Sequence, residues 1–573
     1  MSPYEPLPIS TTSKQASSES ESDTSSSFPN HIQSLLNKYD VTTNGFLPDG
    51  PPLEVLPDEY YAPWENLIRR LSESLDAGTF REEVDRLPVL ETDGRLKTEE
   101  EWRRAYVVLC FFAHGYIWGG SMPSEVLPPP ISVPLLSVSS HLDLPPIATY
   151  ASLNLWNFRC VPPPSSTTSS LSVASESLPP SPPLTPASNS PAFTSNTQPK
   201  TNFNPTDLSR LQTLHTFTGT PSESWFYLVS VAMEAQGAYI IPTMLRALQA
   251  IGLRSSDWKE TTTKALRELI TCVEAVGELL ERMYERCEPM VFYHQIRPFL
   301  AGSKGMSAVG LPKGVFYDLG LASTEEEDQV VQGQRRRGKW MAYRGGSNGQ
   351  SSLIQFWDLV LGVEHVSAGN SSPHAHSSSP SSTGAKDRNE KPFHEEVREY
   401  MPLKHRQFLS MVSKMGLGKG GIRKAVMEMV EAAQQDGRQL DEQEEELQVA
   451  FTNATRALAM FRNKHLQIVA RFIVIPSRQP VPEHMKREKK GRAGEEKKGE
   501  DEDGEKVEKA VNLASVSSGL QQRKESENDG KDTKDGEGGK EGIPELTGTG
   551  GTALLPFLKQ TRDETLKAGE IGR

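Results

Sequence analysis

Apolar and polar positions alternate with a helical period over most of the chain that can pack. Thr98-Glu99-Glu100-Glu101 has the form of a capping box, and Trp102, Tyr106, Leu109, Phe112 and Tyr116 follow at steps of three or four. The same spacing predicts helices from Glu223 to about Ile240, from Thr261 to Tyr284, and from Ser351 to Val363, the last opened by Ser351 or Ser352 behind a glycine-rich loop. From Leu447 the stripe Leu447, Phe451, Ala454, Leu458, Phe461, His465, Ile468 and Phe472 lies on one face of the longest helix. Strand-type alternation is scarce, so the expected class is all-α.

Four stretches break this pattern with compositions that bury too little apolar surface to offset chain entropy: the first 30 residues, the Pro/Ser/Thr run Pro162–Pro205, the Ser/His-rich Ser367–Lys391 and the charged Gln479–Gly542. We therefore expect a disordered N-terminus (1–30), a small helical domain (31–161), a disordered linker (162–205), a large helical domain (206–478) interrupted by a disordered insertion (367–391), a disordered charged insertion (479–545), and a closing loop with a C-terminal helix (546–573). Polar, proline-rich averages agree: of 573 residues only 36% are hydrophobic, and 42 are proline.

Charge and cysteine content narrow the function. A formal net charge of -13 argues against nucleic acid as a partner, because displacing phosphate counterions needs a basic face. Cys110, Cys160, Cys272 and Cys287 lie far apart with no C-x-x-C pair, which fits a reducing compartment better than a disulfide framework or a zinc ribbon. The N-terminus lacks the basic and apolar regions of a secretory signal. The most apolar stretch, Tyr106–Trp118, is broken by His114 and Gly115 and is shorter than the ~20 residues of a membrane helix. A cytoplasmic protein without a membrane span is the expectation.

Whereas His31, His374, His376 and His484 lie in or beside the low-complexity segments, His465 falls within the apolar stripe of the longest helix. By periodicity alone such a residue is more often a hydrogen-bonded core histidine than a ligand. Gly345–Gln350 resembles a phosphate cradle only superficially, since it lacks a Gly-Lys-Ser/Thr ending and follows no convincing strand.

A set of motifs in fixed order goes further. His465-Leu466-Gln467-Ile468-Val469-Ala470-Arg471-Phe472-Ile473 followed by Ile475-Pro476 resembles the haem-ligand helix of the indoleamine 2,3-dioxygenases. Leu144-Pro145-Pro146-Ile147 with Tyr150, Leu228-Val229-Ser230, Phe292–Arg297, Gly345–Ser352, Tyr400-Met401-Pro402 with His405-Arg406, and Gly548-Thr549-Gly550-Gly551-Thr552 occur in that family's order. The likeness spans roughly residues 30 to 573.

The resemblance implies an all-helical fold, with haem b held in the large domain, active in the ferrous state, and a mobile loop near the C-terminus. It implies insertion of both atoms of O2 across the indole C2–C3 bond of L-tryptophan to give N-formylkynurenine, the entry to the kynurenine route toward NAD. An electron donor would keep the iron ferrous, and the protein would act as a monomer. His465 would be the proximal iron ligand. Arg462 would pair with Asp358 and brace the ligand helix, although alone both would be read as helix-surface charges. Arg297 would grip the substrate carboxylate; sequence alone favours a surface arginine ending a turn before Pro298. Tyr150, Phe226, Phe292 and Tyr293 would wall the indole pocket, or else be core aromatics. Ser230 would be the small distal polar residue, against the alternative of a serine back-bonded to its helix. Histidine holds that place in the related tryptophan 2,3-dioxygenases. Gly346, Ser347 and Asn348 would line the haem edge, and Thr549 would close over the substrate as a lid.

Two other classes stay open at this level. One is an O2-binding or sensing haem protein of the same fold with little tryptophan turnover. The other is a helical interaction protein whose insertions recruit partners.

Overall fold

The computed structural model describes residues 28–161, 203–321, 329–365, 393–418, 420–485 and 554–571. Its N-terminal helices are α1 (Phe28–Lys38), α2 (Ala62–Arg69), α3 (Leu71–Ala77), α4 (Phe80–Asp85), α5 (Glu99–Trp118) and α6 (Pro129–Leu142). Then follow α7 (Pro221–Gln236), α8 (Ile240–Leu253), α9 (Trp258–Glu281), α10 (Ser352–Leu361), α11 (Leu403–Gly416), α12 (Ile422–Gln435), α13 (Glu442–Val469) and α14 (Leu554–Ala568). Helices dominate, as the periodicity predicts.

Local chemistry sets their ends. Thr98 accepts from the Glu101 N–H, but the Glu101 carboxylate reaches the Lys97 N–H instead of that of Thr98, so only half of the expected capping box forms. A complete box does open α13: Asp441 accepts from the Glu444 N–H and Glu444 from the Asp441 N–H, which starts the helix five residues before the Leu447 stripe. The predicted helix from Glu223 starts earlier, at Pro221 behind the N-cap Thr220, and breaks between Gln236 and Ile240. Gly237 lies at that break, where a Cβ would stand 2.2 Å from Leu353 Cδ2, so glycine lets α7 end against α10 without displacing Leu353. Ser351 caps α10 by accepting from the Ile354 N–H, and Gly362 ends it at φ +63°.

The structure adds a small sheet that the sequence pattern does not reveal. Strands β1 (Val126–Leu127), β4 (Val315–Leu321), β5 (Gln329–Val331) and β6 (Gln334–Met341) pair in the order β1-β4-β6-β5, parallel only between β1 and β4. A further pair joins β2 (Phe158–Cys160) to β3 (Leu211–Thr213). Strand β6, Gln-Arg-Arg-Arg-Gly-Lys-Trp-Met, carries no apolar alternation because none of it is fully buried, and the two residues of β1 are too few to show a period.

One continuous cluster of buried apolar side chains runs from Ile32 to Ala568. Helix α13 packs along α9 on one side and α14 on another, so the final helix closes onto the helix that carries His465. No single helix among the described residues is long and apolar enough to cross a membrane. The α7–α8 pair is so jointly, bent by 41°, but its apolar side chains are mostly buried in the core.

Candidate functional site

A cavity of about 250 Å3 opens where α7, α10, α13, α14 and the segments 292–300 and 346–349 meet. His465 projects into it from α13, with Phe461, Ile468, Val469 and Phe472 around it. Burial, then the Arg462 charge, pushes the His465 imidazole down to about 4, so at neutral pH its ring is uncharged, the form in which histidine binds a metal. Phe472 lies on a wider π-type turn, Ala470–Val474, that continues α13 and meets Phe292 edge-on at 5.9 Å between ring centroids.

Arg297 faces the cavity from the turn after the π-type segment Phe292–Ile296. It is 1% exposed, not a surface residue, and keeps helical dihedrals (φ -55°, ψ -36°) despite the following Pro298. Burial lowers its guanidinium to about 10, which still leaves it charged at neutral pH. Phe226 and Phe292 face each other at 4.9 Å. Ser230, one turn on from Phe226, reaches the cavity while its hydroxyl lies 3.5 Å from the Phe226 carbonyl, so the serine is both a lining residue and weakly back-bonded.

Tyr150, Gly346, Ser347 and Asn348 complete the lining. Gly346 approaches Leu153 so closely that a Cβ would meet Leu153 Cδ1 at 2.7 Å, and Ser347 is spent locally, accepting from the Gly349 N–H at 3.2 Å. Tyr293 is the departure. It is fully buried behind the wall, its ring 5.8 Å from the Arg297 guanidinium carbon, and does not line the cavity. The π-type turn explains this by turning Phe292 and Arg297 inward and Tyr293 away. Thr549 and the Gly548–Thr552 run lie outside the described residues.

On the cavity wall, Arg462 clamps Asp358 through both carboxylate oxygens and also donates to Thr565 of α14. His365 stands between Asp358 (3.2 Å) and Glu564 of α14 (2.7 Å) and stacks on His394 at 4.1 Å. Burial alone would raise the Asp358 carboxyl, but Arg462 and then His365 outweigh it and hold it well below the ordinary range. These are buried partners, not the surface charges that sequence alone suggests.

Sequence reasoning did not find Glu234, Phe393, His394, or Leu554, Phe557, Leu558 and Thr561 of α14, all of which line the cavity. Glu234 carried a readable signal, being four residues after Ser230 and the lone acid in the apolar run Leu228–Ala235. The α14 residues had none, since their approach depends on tertiary packing.

Two neutral imidazoles line the cavity: His394 is stacked on His365, while His465 stands among aromatic and aliphatic side chains, so a metal or cofactor here must suit His465. Among the described residues no three or more His, Cys, Asp or Glu side chains gather as a metal site. One histidine donor, His465, with Phe461, Ile468, Val469 and Phe472 around it matches the chemistry of an iron whose other nitrogens come from a porphyrin, and the residues present fit such a group.

A helical fold that aims the neutral His465 and the buried Arg297 into a largely apolar cavity has the makings of a cofactor-dependent enzyme site. The indoleamine 2,3-dioxygenase family model matches residues 35–568. An indoleamine 2,3-dioxygenase of Penicillium citrinum is 33% identical over 94% of this chain and 90% of its own length, and one of Saccharomyces cerevisiae is 32% identical over 94% of each. A 6-hydroxytryptophan 2,3-dioxygenase of Fusarium equiseti is 32% identical over 78% of this chain and 87% of its own length. The chain belongs to the indoleamine 2,3-dioxygenase family and is a dioxygenase of the tryptophan/indole type.

Proposed function

We propose that the protein cleaves the indole C2–C3 bond of L-tryptophan with O2 to give N-formylkynurenine, using haem b in its ferrous form with His465 as the proximal ligand. The observation that carries this reading is that neutral His465 and charged Arg297 face the same buried apolar cavity. The haem, when bound, supplies the iron at which O2 is taken up and activated.

The chain's own residues bind and orient. Arg297 takes the α-carboxylate in a two-point hydrogen bond, strengthened by its dry surroundings. Phe226 and Phe292, packed on each other, form one aromatic wall for the indole, and Ser230 leaves room where a larger side chain would block approach. Gly346 brings backbone close to the substrate, with Ser347 and Asn348 beside it, and Thr549 closes the site against water. No side chain is assigned as a general base, because the electron-rich indole needs positioning more than proton transfer. Asp358 and Arg462 hold the ligand helix in place.

On this reading the enzyme works as a cytoplasmic monomer fed by an electron donor, at the head of the kynurenine route toward NAD. Because one relative is named for 6-hydroxytryptophan, the test compares substrates. Purified protein is reduced, given O2 and then L-tryptophan or 6-hydroxytryptophan, while the haem band and the N-formylkynurenine absorbance are followed together. Product from L-tryptophan supports the reading. Product only from the hydroxylated substrate, or a haem band with O2 uptake and no product, overturns it.

A further inference from the structure

Two buried carboxyl groups line the cavity, and their surroundings differ sharply. Asp358 has Arg462 and His365 against it. Glu234, 2% exposed, has no cation. Its Oε1 accepts from Ser351 Oγ at 2.6 Å, and the Tyr150 hydroxyl stands beside it, while Oε2 finds no hydrogen-bond partner of good geometry. Ser351 in turn caps α10 through the Ile354 N–H, and the Tyr150 N–H donates to Gln350 Oε1 at 2.9 Å. Glu234 thus stands where α7, the glycine-rich loop running into α10, and the Tyr150 segment meet.

We propose that Glu234 is a positioning residue for the substrate, its carboxyl tying Tyr150 and Ser351 to the helix that carries Phe226 and Ser230. This rests on the reading of the cavity as the tryptophan site. The working form is the neutral acid: a carboxylate buried without a cation costs far more than the two hydroxyl donors return. Burial raises Glu234 to about 7, with Ser351 and Tyr150 pulling the other way. The other titratable groups on the cavity walls are Arg297, His394, His465 and the Asp358–Arg462 pair, and none of them contributes to the Glu234 shift. As pH rises through 7, a charge forms at the junction of three walls, the junction loosens, and tryptophan binds less well.

The test uses the haem-loaded full chain. For wild type, KM for L-tryptophan is expected to be flat below about pH 7 and to rise by up to roughly tenfold per pH unit above it, with kcat little changed. Glu234→Gln keeps the shape and cannot ionise, so its KM should match wild type at pH 6 and stay flat to pH 8.5. Tyr150→Phe, which removes a donor to the anion, should move the wild-type midpoint upward. A Glu234→Gln variant that keeps the wild-type slope, or loses affinity at pH 6, overturns the proposal, as does an unmoved midpoint in Tyr150→Phe.

Absence of turnover by wild type at every pH would refute the tryptophan reading instead, and thermal stability then decides the role of Glu234. A folded value near 7 lies above the unfolded ~4.3, so the carboxyl's contribution is present below the unfolded value and lost as pH rises toward 7. The Tm of Glu234→Gln should gain on wild type from pH 5 to 7, and a constant difference overturns the neutral-acid assignment.

Discussion

Arg462 donates to both carboxylate oxygens of Asp358, at 2.6 and 2.7 Å, with both side chains less than a tenth exposed. The pair joins α10 to α13 three residues before His465. Arg462 also donates to Thr565, so α14 is tied to the same point. Removing one partner leaves a buried charge uncompensated, which typically costs about 3–5 kcal/mol. Asp358→Ala is therefore expected to lower unfolding stability by about that much in a urea titration. A loss under about 1 kcal/mol would place the pair with ordinary surface bridges.

A second consequence concerns pH. His365 lies between two carboxylates on different helices, Asp358 and Glu564. Burial lowers its imidazole, but Asp358 more than reverses this, with further help from Glu564, and the net shift is upward. A histidine raised on folding contributes stability that is complete below its unfolded value of about 6.5 and is lost as pH rises through the folded value. Melting temperature should thus fall as pH rises above about 6.5, and His365→Gln should flatten that limb. An unchanged limb in the variant would assign it to other groups.

The close approach at Gly237 yields a stability prediction of a different kind. A methyl group there would overlap Leu353, a cavity-lining residue, with Cδ2 at 2.2 Å and Cδ1 at 2.7 Å. The contact is with a side chain, so it yields by rotation of Leu353, and such overpacking usually costs about 1–3 kcal/mol. Gly237→Ala should lower Tm and weaken substrate binding together. A variant with wild-type values of both would mean that Leu353 repacks freely.

What the sequence could show follows from how each signal is encoded. His465 was legible because a helix repeats its buried face every three or four residues, and the histidine sits in that row. Arg297 was legible only through resemblance: its burial depends on a π-type turn that periodicity does not encode. The same turn explains why Tyr293, adjacent to Phe292 in sequence, packs behind the wall. Asp358 and Arg462 are 104 residues apart and look like surface charges until two helices cross. The β5–β6 hairpin has no apolar period because it is arginine-rich and mostly unburied, and in β4 the run Val315–Asp318 is buried on both faces, so it does not alternate either.

If His465 holds the iron, its removal should separate cofactor from fold. His465 lines the cavity and takes no place in the buried apolar cluster, so His465→Ala should keep its helical circular dichroism while losing the haem band. Added imidazole should restore part of the band by filling the vacated position. A normal ferrous spectrum in the variant would remove His465 from that role.

Arg297 offers the sharpest separation of binding from chemistry. Its guanidinium is buried and charged, so a substrate carboxylate placed against it forms a charge pair screened from water. Truncating one side of such a pair typically costs about 2–5 kcal/mol, or roughly 30- to several thousand-fold in affinity. Arg297→Ala should raise KM for L-tryptophan within that range and leave the haem spectrum intact. Arg297→Lys should recover little, because an ammonium lacks the planar fork that matches a carboxylate. Tryptamine, which has no carboxylate, supplies the control: its turnover should be poor in wild type and fall little further in Arg297→Ala. Equal losses for both substrates would mean that Arg297 shapes the cavity instead of gripping the carboxylate.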